Sequence, residues 1–302
     1  MKRIIWLSAA LLALAGVAGA GGPGTTGASF LKVGVGAREL ALGSAASSLT
    51  EGANSVNWNP AGLAGLKTRD VSASYNMLFI DESQGFLGYA APVGGGSGVF
   101  GIGVNYLTVR DIEKRASDTD SPDSKFNNNN TAATISYARA EVRPGLAVGG
   151  NVKYVEQKLD SQSDKAVALD LGTTYAAGKG WTAAFVVQNL GGRIGPDRLP
   201  LTLKGGASRR FLDGKLAAAA DVDWLVYDER AYLDLGGEYT LGKYLALRAG
   251  YQFGRGADDL GSGLVGLGAG VGIRYESFKL DYAYVPFGDL GDTHRMTFGF
   301  VF

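Results

Sequence analysis

A fourteen-stranded antiparallel transmembrane β-barrel is the fold this 302-residue sequence predicts, and three observations predict it. Beyond Val71, apolar side chains alternate with small or polar ones almost to the last residue. Successive side chains of a strand point to opposite faces, so the alternation means one oily face and one different face. The alternating segments are even in number, and most have the about 9–11 residues that a tilted strand needs to cross a bilayer. Their connections also sort into a short set and a longer set, as in a barrel with two unlike ends.

In chain order, the first element is an export signal. Lys2 and Arg3 precede an apolar run from Ile4 to Ala15 broken only by Ser8, and Ala18-Gly19-Ala20 supplies the small residues of a cleavage site. Residues 1–20 are therefore expected to be a cleavable secretory signal peptide. The run is short for a membrane anchor, which takes about 20 apolar residues. Removing Lys2 and Arg3 turns 29 basic against 29 acidic residues into 27 against 29, a net charge of −2. That is not the basic excess of a nucleic-acid partner. The chain has no cysteine, so disulfides, thiolate metal sites and cysteine nucleophiles are excluded. Glycine, at 47 residues, is over twice its average share of about 7%. With only 8 prolines and no collagen period, this fits a β-rich exported chain better than a fibrous one.

Residues 21–69 do not alternate. Gly21 to Gly27 is a small-residue lead, and the Ala- and Leu-rich stretches 37–46 and 61–66 are candidate short helices. The lumen of a fourteen-stranded barrel is wider than that of the side-chain-filled eight-stranded type. This segment is expected to fold inward as a partly helical plug. Within it, Asn59 can cap a helical turn that Pro60 begins at its first position.

The barrel itself is expected over 70–302, with strands near 70–79, 83–93, 96–109, 130–142, 146–160, 165–177, 181–190, 200–212, 215–227, 230–241, 243–253, 264–276, 278–286 and 293–302. Val167, Leu169, Leu171 and Tyr175 oppose Ala168, Asp170 and Gly172; Leu245, Leu247, Ala249, Tyr251 and Phe253 oppose Ala246, Arg248 and Gly250. The oily faces tend to end in an aromatic residue, as the girdles at a membrane boundary do. If the first strand runs outward, the short links are 94–97, 143–145, 178–180, 213–214, 241–242 and one near Glu276. The long ones are 110–129, 189–200, 254–263 and 286–292. His294, Met296, Phe298, Phe300 and Phe302 share one face of the last strand. A closing strand that ends on an aromatic residue is similar to the insertion signal of outer-membrane barrels, so the cell outer membrane is the expected location.

Opposite the oily faces fall Lys153, Asp170, Asp221, Asp223, Asp234, Glu238, Arg248, Arg274, Lys279, Asp281 and Arg295. So many charges would be prohibitive in a soluble core, but they suit a wet or plugged lumen. Asp221 and Asp223 could act as an acid–base pair, yet lumen salt bridges are the plainer reading. Gly261-Ser262-Gly263-Leu264-Val265-Gly266 matches a dinucleotide fingerprint but leads into a strand rather than a helix. Asp118, Asp120 and Asp123 lack the glycine and glutamate of a calcium loop. His294, the single histidine, falls on the outer face near the loop end, where an interfacial role outweighs a catalytic one. No enzyme, no cofactor and no metal site is expected.

Ser29 to Arg38, with Ala41-Leu42-Gly43, Gly52-Ala53-Asn54 and Trp58-Asn59-Pro60-Ala61-Gly62-Leu63, resembles the opening of the PorV/PorQ family. That family belongs to the FadL-like outer-membrane barrels, and Asn59-Pro60-Ala61 is shared with the fatty-acid transporters. The resemblance implies a fourteen-stranded barrel with an amino-terminal hatch, marked here by Arg38, Gly43, Asn59, Pro60, Ala61, Gly62 and Leu63. It also implies a non-enzymatic binding or shuttling component of the type IX secretion system. The expected partners are then outer-membrane lipid, secreted proteins carrying a carboxy-terminal sorting domain, and other secretion components, met at 110–129, 189–200 and 254–263. The alternative is FadL-like transport of long-chain fatty acids or other hydrophobic solutes. Gly101 and Gly103, which share a face with Asn105, leave room for that; the sequence shows no apolar lumen-facing cluster to support it.

Overall fold

The structure is a computed structural model that describes residues 22, 24–79, 81–255 and 262–302. The expected signal peptide lies outside the described residues. Among these, fourteen strands close an antiparallel barrel: β1 (Asp70–Met77), β2 (Glu82–Val93), β3 (Gly98–Lys114), β4 (Ser124–Arg143), β5 (Leu146–Leu159), β6 (Gln162–Gly178), β7 (Trp181–Gly191), β10 (Thr202–Phe211), β11 (Leu216–Leu225), β12 (Arg230–Leu241), β13 (Leu245–Phe253), β14 (Leu267–Tyr275), β15 (Phe278–Pro286) and β16 (Asp292–Val301). Each pairs with its chain neighbours, and β1 closes on β16 with Asp70 opposite Val301 and Met77 opposite His294. A two-stranded hairpin, β8 (Arg193–Ile194) and β9 (Asp197–Arg198), stands in the connection between β7 and β10.

The period-two pattern sets which face is which. Leu87, Val152, Val167, Leu171, Val222 and Phe298 stand exposed on the outside, while their strand neighbours Gly88, Asn151, Ala168, Asp170, Asp221 and Thr297 are buried within. An apolar band of this extent around a closed barrel is what hydrocarbon solvates and water does not. One end of the barrel carries tight turns, at 144–145, 179–180 and 276–277 among others. Residues 69 and 302 meet at that turn end, each N–H donating to the other's carbonyl at 2.9 and 3.0 Å.

The opposite, loop end differs from expectation. Segment 110–129 is mostly strand: β3 runs to Lys114 and β4 starts at Ser124, with a bulge between Val109 and Ile112. Beyond the bilayer both faces of a hairpin are wet, so its residues need not alternate and the run of Asn127 to Asn129 reads as loop. For the same reason β5 and β6 are joined only by residues 160–161, so the length at this end sits largely in strands. Connection 189–200 contains the β8–β9 hairpin, and most of 256–263 lies outside the described residues.

Residues 24–66 run through the interior. The chain forms 3-10 turns at Ser29–Lys32, Gly52–Asn54 and Pro60–Gly65 and two short helices, α1 (Ala37–Ala41) and α2 (Ser55–Trp58). Stretches 42–46 and 61–66 are therefore not α-helical. Asn59 caps the turn that Pro60 begins, its Oδ1 accepting from the Ala61 N–H at 3.0 Å. Val35, Leu40, Val56, Trp58 and Leu63 pack with Phe86, Val99 and Val285 of the wall into one core. A second core, nearer the loop end, joins Phe30 to Leu107, Val155, Ile194 and Leu199.

Candidate functional site

Inward-facing glycines bring the segment against the wall backbone to backbone. A Cβ at Gly236 or Gly250 would collide with the main chain of Leu42, one at Gly268 with the carbonyl of Leu40, and one at Gly172 with Asn59 Oδ1. A Cβ at Gly149 would lie 2.5 Å from the carbonyl carbon of Pro60. Gly101 and Gly103, expected to leave room in the wall, do not: Val56 and Leu63 of the segment occupy the space, with Phe86 beside Gly103.

Charge fixes the rest. Arg38 grips Glu238 with two hydrogen bonds, Nε at 2.8 Å and Nη2 at 2.9 Å. Arg248 binds the same carboxylate at 2.6 Å and reaches Asp281 at 2.7 Å. All four side chains are buried, so this is a low-dielectric network in which each charge depends on its partners. At its edge Glu51 lies 3.3 Å from Arg38 and 3.8 Å from Arg274, and the Arg38 guanidinium holds the Glu51 carboxyl below its ordinary range. Burial, only partly offset by Arg38, lifts the carboxyl of Glu39 to about 7. Lys279 pairs with Asp70 at 2.6 Å.

The remaining inward charges divide between the segment and the wall. Asp221 accepts from the Ser47 N–H at 2.7 Å. Asp170 takes Lys153 at 2.8 Å and Asn151 at 2.7 Å, and Asn151 in turn donates to the Val56 carbonyl at 2.8 Å. Asp223 pairs with Lys204. Asp234 is fully buried and neither carboxylate oxygen has a hydrogen-bond partner among the described residues; the Nη1 of Arg295 is likewise unpartnered. Of the hatch residues, Arg38, Gly43 and Asn59 meet the wall directly. Pro60 packs on Gly149 and Gly172, Leu63 on Gly101, and Ala61 is buried, while Gly62 packs within the segment on Thr50 and Ser55.

Toward the loop end the packing leaves a cavity of about 620 Å³. Its wall is part segment, part barrel: Leu31, Val33, Leu40 and Trp58 face Leu78, Phe79, Leu225, Val285 and Phe287. This is the apolar cluster the sequence does not show, because its residues come from the non-alternating segment and from strand ends. Phe79 meets Phe287 edge-on at 4.9 Å, and the Arg255 guanidinium lies 5.2 Å over the Phe287 ring. Burial pulls the Arg255 pKa down. Arg295 reaches the same cavity. Asp228, a loop residue that no motif marks, ties the first described residues over it, accepting from Gly24 N at 3.2 Å, Thr26 Oγ1 at 3.1 Å and Lys32 Nζ at 3.1 Å.

That clamp is testable because the chain lacks cysteine. Ala28→Cys, at a fully buried site in this strap, should resist thiol labelling. Adding Asp228→Ala removes charge-assisted hydrogen bonds worth about 1.5–3 kcal/mol, so labelling should accelerate by roughly 10–100-fold. An unchanged rate would show that Asp228 does not hold the strap.

A closed barrel with an apolar exterior, filled from within by its own amino-terminal segment, defines an integral β-barrel membrane protein. Among solved structures it has the fold of the FadL-like barrels. It is similar to the Ralstonia pickettii toluene transporter TbuX (TM-score 0.66, 15% identity, 89% of this chain and 98% of that one). The P. putida toluene transporter TodX matches at TM-score 0.62 and 13% identity over 89% and 99%, and a Pseudomonas aeruginosa FadL homologue at 0.56 and 14% over 88% and 97%. No family model matches the sequence, and no curated protein matches it.

Proposed function

We propose that this chain is an outer-membrane transporter that admits a small hydrophobic solute at its loop end, exported by its first twenty residues and plugged by residues 21–69. The cavity of about 620 Å³ carries this reading. Its size falls within the roughly 300–1,000 Å³ of small-molecule sites, and an apolar side built from Leu31, Val33, Trp58, Phe79, Leu225 and Phe287 stands against a charged side that includes Lys32, Glu82, Lys204, Arg255 and Arg295. The similar barrels TbuX and TodX are toluene transporters, which makes a monoaromatic hydrocarbon one probe and a long-chain fatty acid the other. Phe287→Asp would place a carboxylate against Phe79 in the lining. Uptake of at least one probe by cells carrying the gene should exceed that of cells lacking it, and F287D should reduce it about tenfold or more, since a hydrated carboxylate beside the Arg255 guanidinium must lose its water before an apolar solute can take its place. Equal uptake of both probes with and without the gene would end the proposal.

A second reading, a PorV/PorQ-type platform for secreted proteins with a carboxy-terminal sorting domain, is favoured by Ser29 to Arg38 and Asn59 to Leu63. Specific co-purification of such proteins, together with unimpaired solute uptake in a deletion strain, would decide for it.

A further inference from the structure

On β10 the even-numbered Lys204 and Ser208 are buried inside the barrel, which puts Arg209 on the bilayer face, near the turn end. Its guanidinium lies 5.4 Å from the Trp181 ring and 4.7 Å from the Phe211 ring. Its Nε is buried with no hydrogen-bond partner among the described residues, while the residue as a whole is part-exposed. Two turns border it: 179–180 contributes Lys179, and 212–215 contributes Lys215 against one carboxylate, Asp213. Toward the bilayer middle the outward neighbours are small. Arg209 pairs across with Ala218, and Ala207 with Ala220 and Ala183. Beyond them Gly205 sits between Phe185 and Val222, so the wall is recessed in a strip leading away from the guanidinium.

A guanidinium packed against two rings is left with its terminal N–H groups, and a charge-assisted hydrogen bond to an anion is the strong interaction open to them. At the edge of a hydrocarbon layer, the anion within reach is a lipid phosphate. Water alone would hydrate an extended arginine, but it gives no reason for the recessed strip. We propose that Arg209, between Trp181 and Phe211, binds the phosphate of an anionic phospholipid in the leaflet at the turn end, with an acyl chain over Ala207, Ala218 and Ala220. This rests on the membrane reading above, with the turn end facing the periplasm.

Native mass spectrometry of the full barrel, offered phosphatidylglycerol and phosphatidylcholine in equal amounts, tests it. Wild type should retain phosphatidylglycerol at least fivefold in preference. Arg209→Gln should lose that preference while keeping the wild-type heat-modifiable gel shift. Arg139→Gln, an exposed arginine at the same end, should keep it. Equal retention of the two lipids, equal loss in R139Q and R209Q, or displacement of the lipid by millimolar inorganic phosphate would each overturn the site. A chain that fails to enter phospholipid vesicles would instead overturn the membrane reading from which the site follows.

Discussion

Replacing Glu238 by glutamine is expected to free the amino-terminal segment from the wall and to cost roughly 3–5 kcal/mol, the loss typical of breaking one member of a buried ion-pair network. Glutamine keeps the shape but not the charge. Arg38 would keep only Glu51, which is half-exposed, and Arg248 only Asp281. Both guanidiniums stay buried, so neither can recover its lost partner from water. The barrel's backbone ladder does not pass through these side chains, which separates two readouts. The urea midpoint of the variant in lipid should fall, and single-channel conductance in a planar bilayer should rise from a closed baseline to a measurable open level. Arg274→Gln is the comparison, because its contact with Glu51 is longer and more exposed, and such a pair contributes about 0–1 kcal/mol. If E238Q is no less stable and no leakier than R274Q, the network does not hold the segment.

The strands were legible because the bilayer imposes one simple pattern on the chain. Wherever one face meets lipid and the other the interior, period two survives, and β5, β6, β11 and β13 start and end within a few residues of the sequence reading. Legibility fails where that contrast disappears. Residues 110–114 and 124–129 pair as strands with both faces outside the apolar band, so no alternation announces them. The cavity was hidden for a related reason: Leu31, Trp58, Phe79 and Phe287 belong to four separate stretches, none of which shows an oily lumen face. Gly101 and Gly103 misled in another way. A missing side chain means either empty space or close contact, and only the position of Val56, about 45 residues earlier, distinguishes the two. Inward charges could be assigned to a face but not to partners, since the pairing of Arg38 with Glu238 spans 200 residues.

The glycines of β12 to β14 give the sharpest test of how the interior is filled. At Gly250 an added Cβ would collide with the carbonyl carbon of Leu42 and the nitrogen of Gly43; at Gly43, whose φ is +62°, one would collide with the nitrogen of Tyr251. Main chain therefore meets main chain on both sides, and neither can turn aside as a side chain could. Gly250→Val should lift residues 42–43 from β13 and, through the three residues between, pull Arg38 from Glu238. Overpacking alone costs about 1–3 kcal/mol, to which the weakened ion pairs add. Valine suits a strand and Gly250 lies in register between Gly236 and Gly268 in a backbone ladder that a side chain does not interrupt, so the barrel should still close and keep its heat-modifiable gel shift. Trypsin should then cut at Lys32 or Arg38 in the variant and not in wild type. Gly237→Val controls for the substitution itself, since a Cβ at Gly237 would come no nearer than 3.9 Å to the Ala217 carbonyl. If G250V and G237V are equally protected from the protease, the segment is not seated on that glycine face; if G250V loses the gel shift, the face supports the wall rather than its filling.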